Sequence, residues 1–269
     1  MKNIIYTMKP FQLLSLVGLF VAFSACEQEE DYLTGDPRPS VSPYAVNSNV
    51  MIVNASPGAK LSAAAAPVAN LQVNNVLVTN TATPPVALDF AYLSAPTYRG
   101  VVATPQTQIR FVNKEGGASL GSANFSIAQN SNSTVFLIDS TTRVGGQRVV
   151  RVTETLTPAP AAGKARVRFL HFSPNAPEVQ VVNVTGAPAT LFSARRYNEL
   201  NRGSANFANF TEIDAGTFNL EVRLTSDNTP VLTLNGVNFA SGKFYTVYAR
   251  GLVGGAAGQE LGASIILHN

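Results

Sequence analysis

The 269 residues include 19 basic and 16 acidic side chains, two histidines and one cysteine, Cys26. Lys2 and Lys9 precede that cysteine and no acidic residue does, so residues 26–269 carry 17 basic and 16 acidic side chains, a net charge of +1. So small a charge argues against nucleic-acid binding, and a lone cysteine cannot form an internal disulfide. Only 13% of the residues are charged, so Asn, Ser, Thr and Gln must supply most polar surface.

The first 25 residues have the pattern of a secretory signal. A basic start is followed by an apolar run from Phe11 to Phe23, and the small residues Ser24 and Ala25 come before Cys26. The apolar run is shorter than the roughly 20 residues that a membrane-spanning helix needs. A buried strand is the alternative, and the flanking residues favour the signal.

The residues around the cysteine indicate how the protein is anchored. The segment 23–26, Phe-Ser-Ala-Cys, resembles a bacterial lipobox, whose cysteine becomes lipid-modified and begins the mature chain. The acidic run that follows resembles the export signal of Bacteroidota lipoproteins and consists of Glu27, Gln28, Glu29, Glu30 and Asp31. These resemblances imply a lipid anchor at Cys26 in the outer membrane, with the protein facing the cell exterior. An unmodified structural cysteine and a solvated acidic spacer are the alternatives.

Proline-rich stretches divide the rest of the chain. Residues 26–46 combine the acidic run with three prolines and predict an extended tether. Residues 158–164 place prolines among small residues and predict a short interdomain linker. We therefore expect a signal peptide at 1–25, a first repeat at 47–157 and a second repeat at 165–269, each repeat able to fold by itself.

The clearest strand pattern lies between residues 165 and 182. Val167 and Phe169 alternate with Arg168 and Leu170, which is the period of two that is typical of a β-strand. The segment 173–177, Ser-Pro-Asn-Ala-Pro, then predicts a turn. Because neither face of the strand is purely apolar, we expect only one face to be buried, with Phe169 in a core.

A second copy of this pattern begins near residue 50. Matching Ser56 to Ser173 also aligns Asn54 with His171 and Ile52 with Phe169. Further matched segments, in the same order, are 95–98 with 215–218, 124–125 with 238–239, 134–136 with 246–248, and 144–146 with 253–255. Matches in one order along both halves indicate an internal duplication, with an insertion at 58–67 in the first copy.

Each repeat has a length and turn spacing typical of a β-sandwich of about seven strands. The predicted fold class is therefore all-β, with two tandem sandwich domains of the immunoglobulin or transthyretin kind. In the second repeat we expect strands at 218–224, 230–234, 244–249 and 264–267. Residues 191–200 are expected to form a short helix at most.

The turn sequence carries a family resemblance. The pattern over residues 168–177, Arg-x-x-His-x-Ser-Pro-Asn-Ala-Pro, resembles the leading pattern of domain of unknown function 4397, found in bacterial surface and secreted proteins. The segments 215–218 and 241–247 also resemble that family. The resemblance as a whole is close over residues 165–269 and loose over residues 47–157. The resemblance implies a tandem β-sandwich surface lipoprotein, and it brings no known catalytic residue. Asn175 and Gln180 stand where acidic residues are common in the family, which argues against a cation site.

Few side chains are candidates for a functional site. The spacing of His171, His268 and the carboxylates predicts no catalytic cluster, no metal site and no cofactor. The densest basic patch could grip a carboxylate or a sugar face, or be a solvated loop, and consists of Arg195, Arg196, Tyr197 and Arg202. Ser140, in the sequence Asp-Ser-Thr at 139–141, resembles a Bacteroidota O-glycosylation acceptor.

These features favour a non-catalytic, lipid-anchored cell-surface protein for binding, adhesion or envelope assembly. Its expected partners are the membrane, through Cys26, and a glycan or a surface protein, and nucleic acid is not among them. A glycan-active accessory hydrolase is the alternative. That enzyme would need at least two ionisable groups with shifted pKa values converging in one pocket.

Overall fold

The computed structural model describes residues 47–57, 68–79, 83–84, 87–94, 96–102, 104–114, 117–139, 148–199 and 205–268. These residues are almost entirely β-strand and loop, and Ala205–Ala208 forms a short 3-10 turn. Within those ranges we find no helix with the length and apolar character needed to cross a bilayer. The predictions that lie outside them concern residues 1–46, the insertion at 58–67, Ser140, the 144–146 match and Arg202.

The first repeat forms two sheets. Its strands are β1 (Asn47–Asn54), β2 (Val68–Val73), β3 (Val76–Leu77), β4 (Asp89–Ala91), β5 (Thr97–Val102), β6 (Thr107–Asn113), β7 (Ser119–Phe125), β8 (Asn132–Ile138) and β9 (Arg148–Glu154). The order β5-β1-β8-β9 makes the first inner sheet. The order β3-β2-β6-β7, with β4 beside β2, makes the first outer sheet.

The second repeat also forms two sheets. Its strands are β10 (Lys164–His171), β11 (Val179–Asn183), β12 (Ala189–Arg195), β13 (Thr211–Asp214), β14 (Gly216–Leu224), β15 (Pro230–Phe239), β16 (Phe244–Arg250) and β17 (Gly262–Leu267). The order β13-β10-β16-β17 makes the second inner sheet, and β12-β11-β14-β15 makes the second outer sheet. Of the predicted linker, residues 158–163 lie in the connection between β9 and β10, and Lys164 is the first residue of β10.

The inner sheets of the two repeats share one topology. In each inner sheet the first strand pairs antiparallel with one neighbour and parallel with the other, β1 with β5 and β8, and β10 with β13 and β16. Ile52 is opposite Val135 in the first parallel pair, and Phe169 is opposite Val247 in the second. Those are the positions that the sequence alignment pairs, so the inner sheets match in strand pairing as well as in sequence.

One predicted match between the two repeats, residues 95–98 with 215–218, is wrong. Tyr98 lies in β5 of the first inner sheet, whereas Phe218 lies in β14 of the second outer sheet. By strand order, β5 corresponds to β13, at residues 211–214. A Thr followed by an aromatic residue occurs in both β5 and β14. This pattern suits any half-buried strand, so it could not show which of two neighbouring strands in one repeat matches a strand of the other.

Each sandwich has its own core between its inner and outer sheets. In the first, Ile52 packs with residues such as Leu71, Phe111 and Val135. In the second, Phe169 packs with residues such as Val181 and Phe239. The prediction that Ile52 and Phe169 occupy equivalent core positions is confirmed, as is the all-β sandwich fold class.

A third apolar cluster joins the repeats, and we call it the interface cluster. The first inner sheet and the loop after β1 contribute Met51, Val53, Ala55, Phe136, Ile138, Val150 and Val152. The second repeat contributes Leu170, Phe172, Tyr197, Tyr248 and Ile266. The two inner sheets therefore pack face to face, and the sheets stack in the order outer, inner, inner, outer. Both repeats belong to one compact unit.

The expectation that β10 buries only one face is wrong. Leu170 in β10 and Phe172 just after it, on the face opposite Phe169, are only 4% and 1% exposed. One face of β10 serves the second sandwich core and the other serves the interface cluster. Arg168 lies on the interface face, so the sequence pattern there looked polar although the side chain is buried.

The prediction of a short helix within residues 191–200 is also wrong. Residues 189–195 form β12, an edge strand of the second outer sheet that pairs with β11. The pairing buries Phe192 in the second core, so tertiary packing overrides the weak helical pattern. The four later strands lie where the sequence predicts them, although β15 extends to Phe239.

Candidate functional site

A buried ion pair connects the two repeats. Arg168 of β10 and Glu154 of β9 have side chains that are 1% and 0% exposed, and Nη2 of the arginine lies 2.6 Å from Oε1 of the glutamate. Removing either partner would leave the other as an uncompensated buried charge, which is strongly unfavourable. The pair therefore requires both inner sheets to be in place.

Hydrogen bonds extend this pair across the interface. The Arg168 Nε–H donates to Oγ1 of Thr246 at 2.8 Å. The same hydroxyl lies 2.7 Å from Nε2 of His268, and Nδ1 of that histidine lies 3.0 Å from the Tyr98 hydroxyl. We call this set, with Glu154, the interface network. Tyr98 and Glu154 come from the first repeat, and the other three come from the second.

Part of the interface network occupies equivalent positions in the two repeats. Thr134 and Thr246 are aligned in sequence, opposite Val152 of β9 and Ile266 of β17 respectively. Two residues further along the chain are Glu154, the last residue of β9, and His268, which directly follows β17. Thr134 donates its hydroxyl hydrogen to Oε1 of Glu154, while Thr246 contacts His268. Corresponding sites in the two repeats thus carry different ionisable groups: Glu154 contacts Arg168 directly, and His268 is linked to it through the Thr246 hydroxyl.

The interface network also holds one wall of a surface groove. Nη1 of Arg168 donates to the Ala208 carbonyl at 3.2 Å, and its guanidinium carbon lies 4.5 Å from the centre of the Phe210 ring. Phe244 and His268 meet the same ring edge-on, with centroid distances of 5.2 and 5.8 Å. Four contacts therefore fix the positions of Ala208 and Phe210.

The groove lies between the repeats, and we call it the junction groove. Its volume is about 320 Å³. Its lining residues are Thr153 and Thr155 from the first repeat and connection, and Arg166, Ala208, Asn209 and Phe210 from the second repeat. These six residues offer hydroxyl groups, an amide, a guanidinium and an aromatic ring, and none of the six is a carboxylate or a histidine.

The charge of Arg166 is already balanced. Its Nη1 donates to the Pro158 carbonyl at 2.8 Å, and its Nε lies 3.5 Å from the Glu212 carboxylate. Its guanidinium also lies 5.6 Å from the centre of the Phe244 ring. A guanidinium has five N–H donors, so N–H groups beyond these contacts can serve a ligand while the net local charge stays small.

His171 has a structural role. Its Nδ1 accepts a hydrogen bond from the Ser173 N–H at 3.3 Å, and Nε2 then donates to the Pro177 carbonyl at 3.0 Å. Burial lowers the pKa of His171, and the bond to Pro177 opposes that effect. In the first repeat the Asn54 side-chain oxygen accepts the equivalent bond from the Ser56 N–H. Both side chains accept a hydrogen bond from the backbone N–H two residues later, so the shared feature of this position is an acceptor and not an imidazole.

Three residues of the predicted basic patch are described, and the structure does not gather Arg195, Arg196 and Tyr197 into one exposed surface. Arg195 stacks over Phe207, 4.3 Å from the ring centre, while Arg196 pairs with Glu178. Tyr197 is only 7% exposed because it belongs to the interface cluster, where its hydroxyl donates to Asp139 at 2.7 Å. A ligand contact through Arg195 and Arg196 stays a prediction.

A small cavity beside this patch does bring shifted groups together. His171, Arg195, Arg196 and Glu199 are among its lining residues. Burial raises the pKa of Glu199 and lowers the pKa values of His171 and Arg195. The cavity volume is about 10 Å³, which is room for one water molecule and not for a substrate. The shifted pKa values here therefore reflect packing.

The remaining candidates offer no metal site. Within the described ranges there is no group of three or more His, Cys, Asp and Glu side chains that could hold a metal ion. Asp139, which precedes the predicted glycosylation acceptor Ser140, is buried, and its carboxylate lies 3.6 Å from Nε of Arg148. Glycosylation of Ser140 stays a prediction.

Sequence reasoning missed the interface cluster, although a signal was present. Each copy of the leading strand has large apolar residues on both faces, with Val50 and Ile52 on one side and Met51 and Val53 on the other. A strand that is apolar on both sides predicts burial on both sides. That pattern in the first repeat would have indicated a partner surface for the inner sheet.

The interface network makes stability depend on pH through His268. Burial lowers the pKa of His268 from 6.5 to about 4; the nearby Glu154 raises it and Arg168 lowers it. The unfolded chain therefore binds a proton between pH 6.5 and 4 that the folded chain does not, so stability falls as the pH falls through that window. We expect a loss of roughly 3 kcal/mol from this residue, measured by urea unfolding at several pH values.

His268→Gln provides the control for this pH effect, because glutamine keeps hydrogen-bonding capacity but does not titrate. The variant should lose less stability between pH 6.5 and 4 than the wild type does. Equal losses would show that other groups cause the acid destabilisation.

Comparisons with known proteins show what this chain is similar to. No curated protein sequence matches the chain. A proposed cell adhesion protein from Bacteroides fragilis shares 8% identity, with 83% of this chain and 98% of that chain covered and a TM-score of 0.22. A proposed adhesin from Bacteroides ovatus shares 6% identity, with coverages of 87% and 99% and a TM-score of 0.20. At TM-scores this low, neither structure informs the fold or function of this chain.

The family model for domain of unknown function 4397 matches residues 48–182. The match includes the turn pattern at 168–177, and it ends in β11. Most of the matched residues belong to the first repeat, where the sequence resemblance was expected to be the looser one. Half of the chain is covered, and the chain therefore belongs to the DUF4397 family.

Proposed function

We propose that this protein is a non-catalytic binding protein, held in the outer membrane by a lipid on Cys26 and displayed on the cell exterior. There it would serve adhesion or envelope assembly by binding a glycan or a surface protein. The observation that carries the binding role is the junction groove, whose six lining residues bear hydrogen-bonding groups and an aromatic ring but no acid–base pair.

The chemistry of the ionisable groups supports a non-catalytic role. Glu154 and Arg168, beneath the groove, are occupied with each other, and His268 is occupied with Thr246 and Tyr98. A general acid or base must reach the reacting group within hydrogen-bond distance. Side chains that are buried and mutually bonded in this way contribute to positioning and not to proton transfer.

The anchor is supported by the sequence. The segment 23–26 resembles a lipobox, and Cys26 is the only cysteine in the chain. A free exposed thiol would be a liability outside the cytoplasm, and lipid attachment removes it. A lipid on the first mature residue, followed by a proline-containing tether, would leave both sandwiches outside the membrane.

Cys26→Ala tests the anchor. We expect the wild-type protein in the detergent-rich fraction after phase separation and the variant in the aqueous fraction, because the variant has no thiol for lipid attachment. Thr233→Val, an exposed change on β15, is the control and should partition like the wild type. An unchanged partition of Cys26→Ala would contradict the lipid anchor.

Replacing Glu27, Glu29, Glu30 and Asp31 together with alanine tests the display on the cell exterior. The variant should remain in the membrane fraction of intact cells but become protected from added protease, because it would lack the signal for outward export. If wild type and variant are digested at the same rate, the acidic run acts only as a spacer.

A further inference from the structure

We infer that the junction groove binds a neutral saccharide, one or two sugar rings in length. This inference rests on the proposed binding role and specifies its site and ligand class. The volume of about 320 Å³ lies near the lower end of the roughly 300–1,000 Å³ that small-ligand pockets occupy. The ligand therefore has to be small or has to insert only its terminal part.

Phe210 supplies the apolar surface of the groove. Its ring is half-buried and lines the groove. Arg168, Phe244 and His268 hold the ring from the protein side. Because the ring orientation is fixed before binding, a ligand does not have to immobilise it, and preorganisation of this kind favours affinity. The C–H face of a pyranose ring matches such an aromatic platform.

The polar lining suits hydroxyl groups. The side chains of Thr153, Thr155 and Asn209 are exposed, and each can both donate and accept hydrogen bonds. Sugar hydroxyls also donate and accept, so they can satisfy these groups in several orientations. A few placed polar groups around an apolar surface are the usual composition of a small-ligand site.

The charges favour a neutral ligand over an acidic one. Arg166 is the single cation among the six lining residues, and Glu212 lies 3.5 Å from its Nε. An anionic ligand would compete with this carboxylate and meet its repulsion. A neutral sugar can accept from the remaining N–H groups of Arg166 without disturbing the ion pair.

The groove exists only when the two repeats are packed together. Thr153 belongs to β9 of the first repeat, Thr155 directly follows that strand, and Phe210 is positioned by Arg168 of the second. A ligand that bridges the two sides binds the packed state and not the unfolded chain. By mass action, binding should therefore raise the unfolding temperature of the whole chain.

The test uses the purified full chain and four soluble probes. Saturation-transfer NMR at millimolar concentrations would measure binding of maltose, cellobiose and N,N′-diacetylchitobiose, with digalacturonate as the acidic comparison. We expect at least one neutral disaccharide to show transfer to its ring protons and to raise the unfolding temperature, and digalacturonate to bind at least tenfold more weakly.

Variants locate the site. Thr153→Val keeps the β-branched shape and removes one hydroxyl, and we expect about fivefold weaker binding from one lost hydrogen bond. Phe210→Leu keeps an apolar residue and removes the aromatic face, and we expect at least tenfold weaker binding. Thr233→Val makes the same chemical change as Thr153→Val at an exposed site on β15, and it should bind like the wild type.

Three results would overturn the inference. These are no transfer to any neutral probe, tighter binding of digalacturonate, or unchanged binding by both Thr153→Val and Phe210→Leu. None of them would alter the result for Cys26→Ala, so failure of the sugar site is distinguishable from failure of surface anchoring. A folded Phe210→Leu protein is verified by its unfolding transition before binding is compared.

Discussion

Glu154→Ala is expected to lower the free energy of unfolding by about 3–5 kcal/mol, because it leaves the Arg168 guanidinium buried without its ionic partner. Thr134 would also lose the acceptor of its hydroxyl hydrogen bond. A domain is typically stable by only about 5–15 kcal/mol, so this single change should shift the urea midpoint substantially. Equilibrium unfolding in urea measures the effect.

Glu212→Ala is the matched control. It removes the carboxylate that pairs with Arg166, and both side chains of this pair are partly exposed. A solvated pair typically contributes about 1 kcal/mol or less, so the midpoint should move little. Similar losses in Glu154→Ala and Glu212→Ala would mean that water reaches the interface network and that the buried pair does not hold the repeats together.

Phe169→Ala is expected to be equally severe, at about 3–5 kcal/mol. The Phe169 ring is fully buried in the second core, where it stacks with Phe192 at a centroid distance of 6.3 Å. Truncation removes apolar contacts and leaves a cavity that neighbouring strands cannot fill without distortion. The free energy of unfolding in urea again provides the measurement.

His171→Asn, two residues away on the same strand, should cost about 1 kcal/mol or less. The substitution introduces the residue that the first repeat already uses for the same turn contact. It should also leave sugar binding unchanged. A mild Phe169→Ala together with a severe His171→Asn would mean that the two faces of β10 have been assigned incorrectly.

Local patterns predicted the individual sandwiches. Alternation placed Val167 and Phe169 on the core face of β10, and the aligned turn residues Ser56 and Ser173 indicated two similar repeats. The serine hydroxyls donate to the carbonyls of Asp139 and Gly251, in corresponding loops of the two repeats. Such features depend on neighbours in sequence or on a repeated motif, and both are visible in a single chain.

The polar contacts between the repeats could not be predicted in the same way. Arg168 and Glu154 look like surface residues in sequence, and only their mutual distance shows that each compensates the other in a buried site. Tyr197 looked like part of a basic patch because it follows two arginines in sequence. In the structure its side chain packs in the interface cluster. The junction groove depends on that packing, so its residues were not nominated either.

The division into separately folding repeats stays a proposal. The structure shows which buried contacts would be lost if the two repeats were separated. Residues 164–269 retain their own core around Phe169, but alone they would expose Leu170, Phe172 and Tyr248. Arg168 would also lose Glu154. We therefore propose that the isolated second repeat is less stable than the same strands in the full chain.

The most direct test of a shared interface is pulsed hydrogen exchange of the full chain at increasing urea concentrations, read by mass spectrometry. Peptides from β6 (Thr107–Asn113) and β14 (Gly216–Leu224) report on the two outer sheets, which lie on opposite sides of the interface. If the interface cluster and the interface network couple the repeats, both peptides lose protection at one urea midpoint, and Glu154→Ala lowers that midpoint for both. Separate midpoints in the wild type, with Glu154→Ala shifting only one of them, would contradict the account.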